Sequence, residues 1–476
     1  NTRLCRGQAI FDQSEDLTST PIAFSLSQPS DYMVNSDLYT TVSLRHQFSP
    51  NFTFSSSYMK YRYDHDLEEH RTSNVFAPGD STVLQMAYIR RKQMRTNNNW
   101  TNYIISSFRT GDLQHKLLAG FDYIQQDDNR TQFGARGDDY FIVGNDSLPG
   151  GNVRNFDLEN PTYTIERNPE TYQPTWFSQP WLQEPVRSYT YGFYVQDQVN
   201  LHERLKLLLG LRSESYQDRI TRNNEEDEVI SQQAFIPRAG LVYQINPNFN
   251  IYGTFTQGFQ PQDPGTLLNP EVTGGPFDPE YSDLYEIGLK SGFLNNRLYG
   301  TVSIYHIKKR NILVSANVPG NPERLEQRGA EESEGAEFDL TGQLLPNWNI
   351  AVNYAYNNTV ITESDNPEEI GQVSENAPHH TAGFWSKYTI LRGAFEGIGF
   401  GAGIHHVAER NTFDTSLQLP AYTVLDAALY YTIEQFQLSL NVKNLTDETY
   451  WVGGYNYGRI YPGEPRHLLF KIAYSF

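Results

Sequence analysis

Apolar and polar residues alternate along most of this chain in stretches of about ten, which is the period of a strand with one apolar and one polar face. Phe436-Gln437-Leu438-Ser439-Leu440-Asn441-Val442-Lys443 changes character at every step. In the last segment Leu468, Phe470, Ile472, Tyr474 and Phe476 share one face, with Lys471, Ala473 and Ser475 on the other. Tyr191, Phe193, Val195 and Val199 alternate with Gly192, Tyr194, Gln196, Gln198 and Asn200. Leu117, Ala119, Phe121 and Tyr123 alternate with Leu118, Gly120 and Asp122. Helical spacing does not survive these segments. The pattern predicts about seventeen strands, over 36–48, 52–63, 82–108, 115–126, 186–200, 205–216, 234–245, 249–259, 282–293, 297–312, 333–343, 348–360, 377–389, 397–408, 422–433, 436–444 and 466–476.

The connections come in two sizes that alternate strictly. Short ones carry turn residues: Ser49-Pro50-Asn51, Thr110-Gly111-Asp112, Asn246-Pro247-Asn248, Leu294-Asn295-Asn296 and Leu345-Pro346-Asn347. Long polar loops are predicted at 64–82, 127–187, 217–233, 260–281, 313–332, 361–376, 409–421 and 445–465. A soluble sandwich has no reason to keep every long loop at one end. A transmembrane barrel has one, because its periplasmic turns are short and its extracellular loops long. The expected fold is therefore all-β, a transmembrane antiparallel β-barrel. Its third strand is longer than a bilayer needs, so it either rises above the membrane or contains a break, and the faces around Trp100–Arg109 stay unassigned.

Composition agrees with a barrel wall. The chain has 476 residues, 37 basic against 56 acidic, a formal net charge of −19, and only 38% hydrophobic residues against 14% aromatic. Mean hydropathy is −0.59, and no stretch approaches the ~18–20 apolar residues of a spanning helix. The acidity argues against a nucleic-acid surface, which needs clustered Lys and Arg. The single cysteine, Cys5, excludes a disulfide framework and a Cys-ligated metal. Rings favour membrane–water interfaces, and Tyr61, Tyr63, Tyr243, Tyr252, Tyr354, Tyr356, Tyr430 and Tyr431 are expected in two girdles. An odd strand count departs from the even number of single-chain bacterial barrels. With the C-terminus at the short-turn side, the first strand runs down out of an extracellular loop. Residues 1–35 are expected to be the remnant of that loop and 36–476 a partial barrel. A start at Asn1-Thr2-Arg3, without Met or a charged and apolar leader, suggests a processed or truncated chain.

Several motifs then carry a family likeness. Tyr191-Gly-Phe-Tyr-Val-Gln-Asp-Gln198, Pro237-Arg238-Ala239-Gly240-Leu241 and Asn250-Ile-Tyr-Gly-Thr-Phe-Thr-Gln-Gly-Phe259 come first. Pro279-Glu280-Tyr-Ser-Asp-Leu-Tyr285-Glu286-Ile287-Gly288-Leu289-Lys290 and Ser333-Glu334-Gly335-Ala336-Glu337 follow. Asn444-Leu445-Thr446-Asp447, Tyr450, Gly463-Glu464-Pro465-Arg466 and the terminal Phe476 close the series. In this order they resemble the TonB-dependent outer-membrane receptors, and within them the siderophore receptors of the ferrichrome and hydroxamate type. The resemblance implies a Gram-negative outer-membrane barrel of about 22 strands around an N-terminal plug. The implied activity is import of a ferric siderophore into the periplasm with TonB-derived energy. On that count the plug, the TonB-contacting segment and about five strands lie outside this chain, and TonB would be reached through the plug.

Transport of this kind needs aromatic walls with a few placed polar groups. The candidate ligand-binding residues are Tyr172, Trp176, Phe177 and Trp181 in one long loop, and Tyr450, Trp451, Tyr455 and Tyr457 in the last; mutual packing that orders the loops is the plainer use of the same rings. Asp64-His65-Asp66-Leu67-Glu68-Glu69-His70 gathers metal-capable groups in one predicted loop, and a solvated acidic loop is the simpler reading. His379-His380 and His405-His406 cannot chelate as pairs, since adjacent strand residues point apart. Arg90, Arg91, Lys92 and Arg95 form the main basic cluster, facing either lipid phosphates or an anionic chelate in the lumen. Iron is expected to be held by its chelator, with no cofactor, no protein-bound metal and no catalytic residue; there is no G-x-S-x-G elbow. The expected partners are the ferric siderophore, outer-membrane lipid and lipopolysaccharide, and no nucleic acid. A passive porin-like channel, or uptake of haem, cobalamin or a glycan, remain the alternatives.

Overall fold

The computed structural model describes residues 7–475, apart from 137–140, 144–145, 149–152, 164–185, 222–227, 268–269, 316–324 and 365–366. One 18-stranded sheet dominates it. Phe156–Asp157 is a two-residue addition at the edge of one strand, which leaves seventeen long strands. They are β1 Tyr32–Ser49, β2 Phe52–Phe76, β3 Val83–Thr110, β4 Leu113–Arg136, β5 Val186–His202, β6 Leu205–Ile220, β7 Glu228–Asn246, β8 Phe249–Gln260 and β9 Glu280–Phe293. Then follow β10 Leu298–Ser315, β11 Leu325–Leu345, β12 Trp348–Glu363, β13 His380–Thr389, β14 Ile398–Val407, β15 Tyr422–Ile433, β16 Phe436–Lys443 and β17 His467–Tyr474. Each pairs antiparallel with its neighbours in sequence, so hairpins build the whole wall. The predicted strands are thus present in number, order and approximate position.

One face of the sheet is apolar. Register carries Phe193, Val195, Leu211, Leu241, Ile251, Ile287, Ile304, Phe338, Val352, Phe384, Phe400, Leu429, Leu440 and Phe470 along the same side. Phe193 is 60% and Ile304 58% exposed, which suits a surface wetted by lipid chains rather than water. The other face is polar and forms the lumen. No helix among the described residues is long and apolar enough to cross a membrane; the strands cross instead.

The girdle assignment needs correction. Tyr243, Tyr354, Tyr356 and Tyr431 lie on the outward face and are exposed. Tyr61, Tyr63, Tyr252 and Tyr430 lie on the lumenal face: Tyr61 donates to Asp37 at 2.5 Å, Tyr63 to Asn35 at 3.2 Å, Tyr252 bonds Glu286, and Lys387 sits 4.1 Å above the Tyr430 ring. Position near a strand end does not choose the face. Parity does.

The loop boundaries shift as well. Predicted loop 64–82 is mostly strand, since β2 and β3 stay paired up to Phe76 and Leu84 with the tip at 77–82. β3 therefore rises above the membrane as one unbroken strand, and register assigns Trp100 to the outward face beside Tyr58. Asp64–His70 then cannot be a loop cluster. Its residues alternate between faces, opposite Tyr88–Met94 with Asp66 against Lys92 and Glu68 against Arg90. The acidic and basic runs are complementary strands of one hairpin, which stabilises pairing where a lone charge run would melt it. β1 pairs only with β2, and β17 only with β16, among the described residues. Both run toward the tight-turn end, so a direct β1–β17 contact would be parallel.

Candidate functional site: the lumen and its extracellular mouth

Residues 7–31, expected to be a loop remnant, are packed into the long-loop end of the wall. Gln8 forms an antiparallel bridge with Ile460, with both N–O distances 2.7 Å. Its side-chain amide donates to the Thr20 carbonyl at 2.9 Å and accepts Trp451 Nε1 at 3.0 Å. Ile10, Leu417, Leu419, Trp451, Tyr457 and Ile460 form one buried cluster. A second joins Phe24 and Leu26 to Leu84, Met86 and Tyr88 of β3 and to Phe156 and Leu158. Asp31 accepts from His70 N at 2.9 Å, His70 Nδ1 at 2.8 Å and Gln28 N at 2.8 Å. The predicted loop 445–465 contains the hairpin Trp451–Asn456/Arg459–Pro462, and 409–421 contains Arg410–Asn411/Gln418–Leu419. Together these segments make an ordered extracellular block.

That block distributes the candidate rings unevenly. Trp451 and Tyr457 are buried in its core. Tyr450 is half-buried, its ring 4.5 Å from that of Tyr422 and against Gly463, where a Cβ would fall 2.1 Å from the ring. Burial raises the Tyr450 phenol above its ordinary pKa. Tyr455 alone of the four is exposed, paired with exposed Phe413 at 4.8 Å. Phe413 was missed in the sequence because it stands alone in a polar loop. Arg410 is buried, bonded to the Trp451 carbonyl and 5.5 Å from the Tyr422 ring, and desolvation lowers its pKa. Tyr172, Trp176, Phe177 and Trp181 lie outside the described residues. Beside the block a groove of about 480 Å³ is lined by Asp12, Asp80, Asp414, Asn456 and Tyr457. No group of three or more His, Cys, Asp or Glu among the described residues is placed to hold a metal.

Below the mouth the lumenal wall carries a polar network. Arg212 Nη1 lies 2.7 Å from Asp122 and Nε 2.6 Å from Glu214. The guanidinium occupies the space over Gly192, where a Cβ would meet it at 2.1 Å, and Tyr194 lies likewise over Gly120. Glycine at these two places lets a neighbour's side chain lie flat on the backbone. Asp122, Tyr194, Arg212, Arg238 and Gln257 help line a cavity of about 300 Å³. Replacing Arg212 by Met should leave Asp122 and Glu214 facing each other and cost about 1–2 kcal/mol, less than a fully buried pair because solvent still screens it. Urea unfolding of Arg212→Met against the double variant Arg212→Met/Asp122→Asn checks this, since the second change should recover part of the loss.

Residues 7–445 match the family model for the β-barrel of TonB-dependent receptor-like proteins. The chain belongs to that family. Its fold and location follow: it is an outer-membrane β-barrel wall of the Gram-negative type, and matching family members are transport receptors rather than enzymes. The barrel is 27% identical over 99% of its length to the metal-pseudopaline receptor CntO of Pseudomonas aeruginosa, covering 64% of that receptor. It is 26% identical over 96% of its length to the ferric-pyoverdine 358 receptor of Pseudomonas putida, covering 54% of it. The chain thus spans less than two thirds of these relatives. Among solved structures, the siderophore receptor PiuA from Acinetobacter baumannii superposes with a TM-score of 0.79 at 18% identity, over 98% of this chain and 69% of that one.

Proposed function

We propose that this barrel is the wall of a receptor that captures a ferric siderophore at its extracellular mouth and passes it to the periplasm with TonB-derived energy. The observation that carries this reading is the ordered block over a polar lumen. It presents the exposed Tyr455–Phe413 pair at 4.8 Å above the Arg212 and Arg238 wall. Aromatic capture above a polar path suits a bulky chelate with polar edges. Receptors for metal-pseudopaline, ferric pyoverdine and ferrioxamine B among the relatives support a metal chelate as cargo. Within that class we favour a hydroxamate chelate of ferrichrome type, on the sequence motifs. Tyr172, Trp176, Phe177 and Trp181 are proposed to extend the capture surface, with Tyr450, Trp451 and Tyr457 fixing its geometry.

The same reading gives the intact receptor a plug that contacts TonB, and about five further strands that close the wall. An odd number suits edges β1 and β17, which run the same way. No enzymatic step, cofactor or protein-bound iron is needed, and lipopolysaccharide and lipid are the expected surroundings. A metal–opine chelate like pseudopaline is the second reading, favoured by the 27% identity to CntO over 99% of the chain.

Iron-limited growth on defined hydroxamate, catecholate and opine chelates, with and without the intact gene, tests the assignment. Growth that is independent of the gene on every chelate would defeat it. In the intact receptor, Tyr455→Ala with Phe413→Ala should weaken binding of the growth-supporting chelate to cells about tenfold, or ~1.4 kcal/mol. Unchanged affinity would remove these rings from the capture surface.

A further inference from the structure

Register followed around the sheet gathers cations at the tight-turn end of the lumen. Arg45, Arg109, Lys116, Lys206, Lys290, Lys387 and Lys471 each lie within four residues of that end of their strand. Cross-strand partners keep them on the lumenal face: Arg109 opposes Gln114, Lys116 opposes Gln198, Lys206 opposes Asn200, and Lys290 opposes Thr301. Lys387 opposes Asn349 and Lys471 opposes Ser439 on the same side. Asp339, in register with Lys290 across Thr301, is the one carboxylate at this level of the lumenal face among the described residues, against seven cations. In the turns beneath, Asp112, Glu203, Glu396 and Glu434 stand beside Arg204, Arg297 and Arg392, so the turns nearly balance and the band does not.

Higher on the lumenal wall most cations are matched: Arg212 holds Asp122, Arg95 holds Asp128 at 2.7 Å and Lys309 holds Glu280 at 2.9 Å, while Arg238 bonds the Gln196 amide. None of the seven makes an ion pair with a described residue. Lys290 and Lys387 rest 4.7 and 4.1 Å above the rings of Tyr252 and Tyr430, and Arg109 donates to the Asp112 carbonyl at 3.3 Å. A cavity of about 420 Å³ opens at this level, lined by Arg109, Gln114, Lys116, Gln198 and Asn200 and by no acidic residue. In a chain of formal net charge −19, composition does not account for an unneutralised cationic band.

We propose that the band is an anion-binding collar at the periplasmic end of the lumen, a station for the negatively charged groups of a chelate leaving the receptor. It rests on the import reading above, for chelates that carry anionic groups, such as a tris-catecholate or a metal–opine complex; a neutral trihydroxamate passes without it. Ammonium groups on flexible stems are point charges that hold an anion without fixed geometry. Low-dielectric walls focus their field into the lumen. Several weak positions rather than one tight one let cargo arrive and still leave. Because the cations are largely exposed, the attraction should fall as salt rises.

The test uses the intact receptor in detergent micelles and the triple variant Lys116→Gln, Lys206→Gln, Lys471→Gln. Titration with inorganic pyrophosphate at low salt should show binding that weakens with salt and drops about tenfold in the variant. No binding, or equal binding by both proteins, overturns the collar. Absence of binding together with a changed urea midpoint in the variant also overturns it, and identifies carboxylates of the protein itself as the occupants. In cells, the variant should slow uptake of an anionic ferric tris-catecholate several-fold while surface binding stays constant, and leave a cationic ferric trihydroxamate unaffected; equal slowing of both counts against the collar. Should the intact receptor import no chelate of the hydroxamate, catecholate and opine panel while pyrophosphate binding behaves as expected, the import reading fails and anion binding by the band stands.

Discussion

Trp451→Ala in the intact receptor should lower the free energy of opening the extracellular block by about 3–5 kcal/mol, the usual cost of deleting a buried aromatic. Trp451 is 6% exposed and packs with Ile10, Leu417, Leu419, Tyr457 and Ile460. Its Nε1 donates to Gln8 at 3.0 Å and its carbonyl receives Arg410. Three chain segments therefore converge on one ring: 7–31, 410–419 and 451–462. Loss of the ring leaves a cavity lined by all three segments, which the hydrogen bonds that join them, such as Ile10 N to the Tyr457 carbonyl at 2.9 Å and Asp414 N to the Tyr455 carbonyl at 3.1 Å, do not fill. Trp451→Phe separates packing from polarity. It keeps most of the apolar volume but strands Gln8 Oε1, at about 1–2 kcal/mol. The block opens locally, so amide hydrogen exchange is the measurement. Gln8, Ile10 and Ile460, bonded across the segments at 2.7–2.9 Å, should lose protection, while β10 amides keep theirs. Unchanged exchange at Ile10 would mean that the ring does not hold the block.

The strand positions were legible because alternation is a local property. Leu438, Leu440 and Val442 pair with Ile472, Phe470 and Leu468 across β16 and β17, and each run is readable without its partner. Whatever depends on a partner was less legible. Asp64–His70 looked like a solvated loop because its charges are balanced only across the hairpin, against Arg90 and Lys92. The rings of Tyr61 and Tyr252 looked like girdle residues because a strand end suggests height in the membrane and not the face.

The mouth was the hardest part. Gln8 and Trp451 are 443 residues apart in sequence yet share a hydrogen bond, and nothing local marks Gln8 as more than a polar residue near the start. Trp451 and Tyr457 carry the sequence signal of capture rings because exposed and buried aromatics look the same in a polar loop; burial is decided by the hairpin at 451–462 and the segments it meets. The collar was hidden differently. Its cations sit in seven separate strands, and only register around the sheet brings them to one level and one face.

The face assignment underlies all of this, and one pair of substitutions decides it. Ile304→Arg should destabilise the barrel by about 2–4 kcal/mol in a bilayer, the cost of a lipid-facing cation near the midplane. Ile304 lies on the outward face between Ile287 and Ala336, mid-way along the membrane-crossing part of β10. Thr301, three residues lower, faces the lumen between Lys290 and Asp339. Arginine there can snorkel into water and meet Asp339, so Thr301→Arg should cost less than about 1 kcal/mol. Both variants of the intact receptor are compared by reversible urea unfolding in lipid vesicles. The contrast matters more than either value, because a generally fragile β10 would make both substitutions costly. A silent Ile304→Arg beside a costly Thr301→Arg would invert the faces, turning the Arg212 network and the collar toward lipid. That arrangement would expose Arg212, Asp122, Glu214 and the cations of β4, β6 and β9 to hydrocarbon, which the desolvation cost of charge makes untenable.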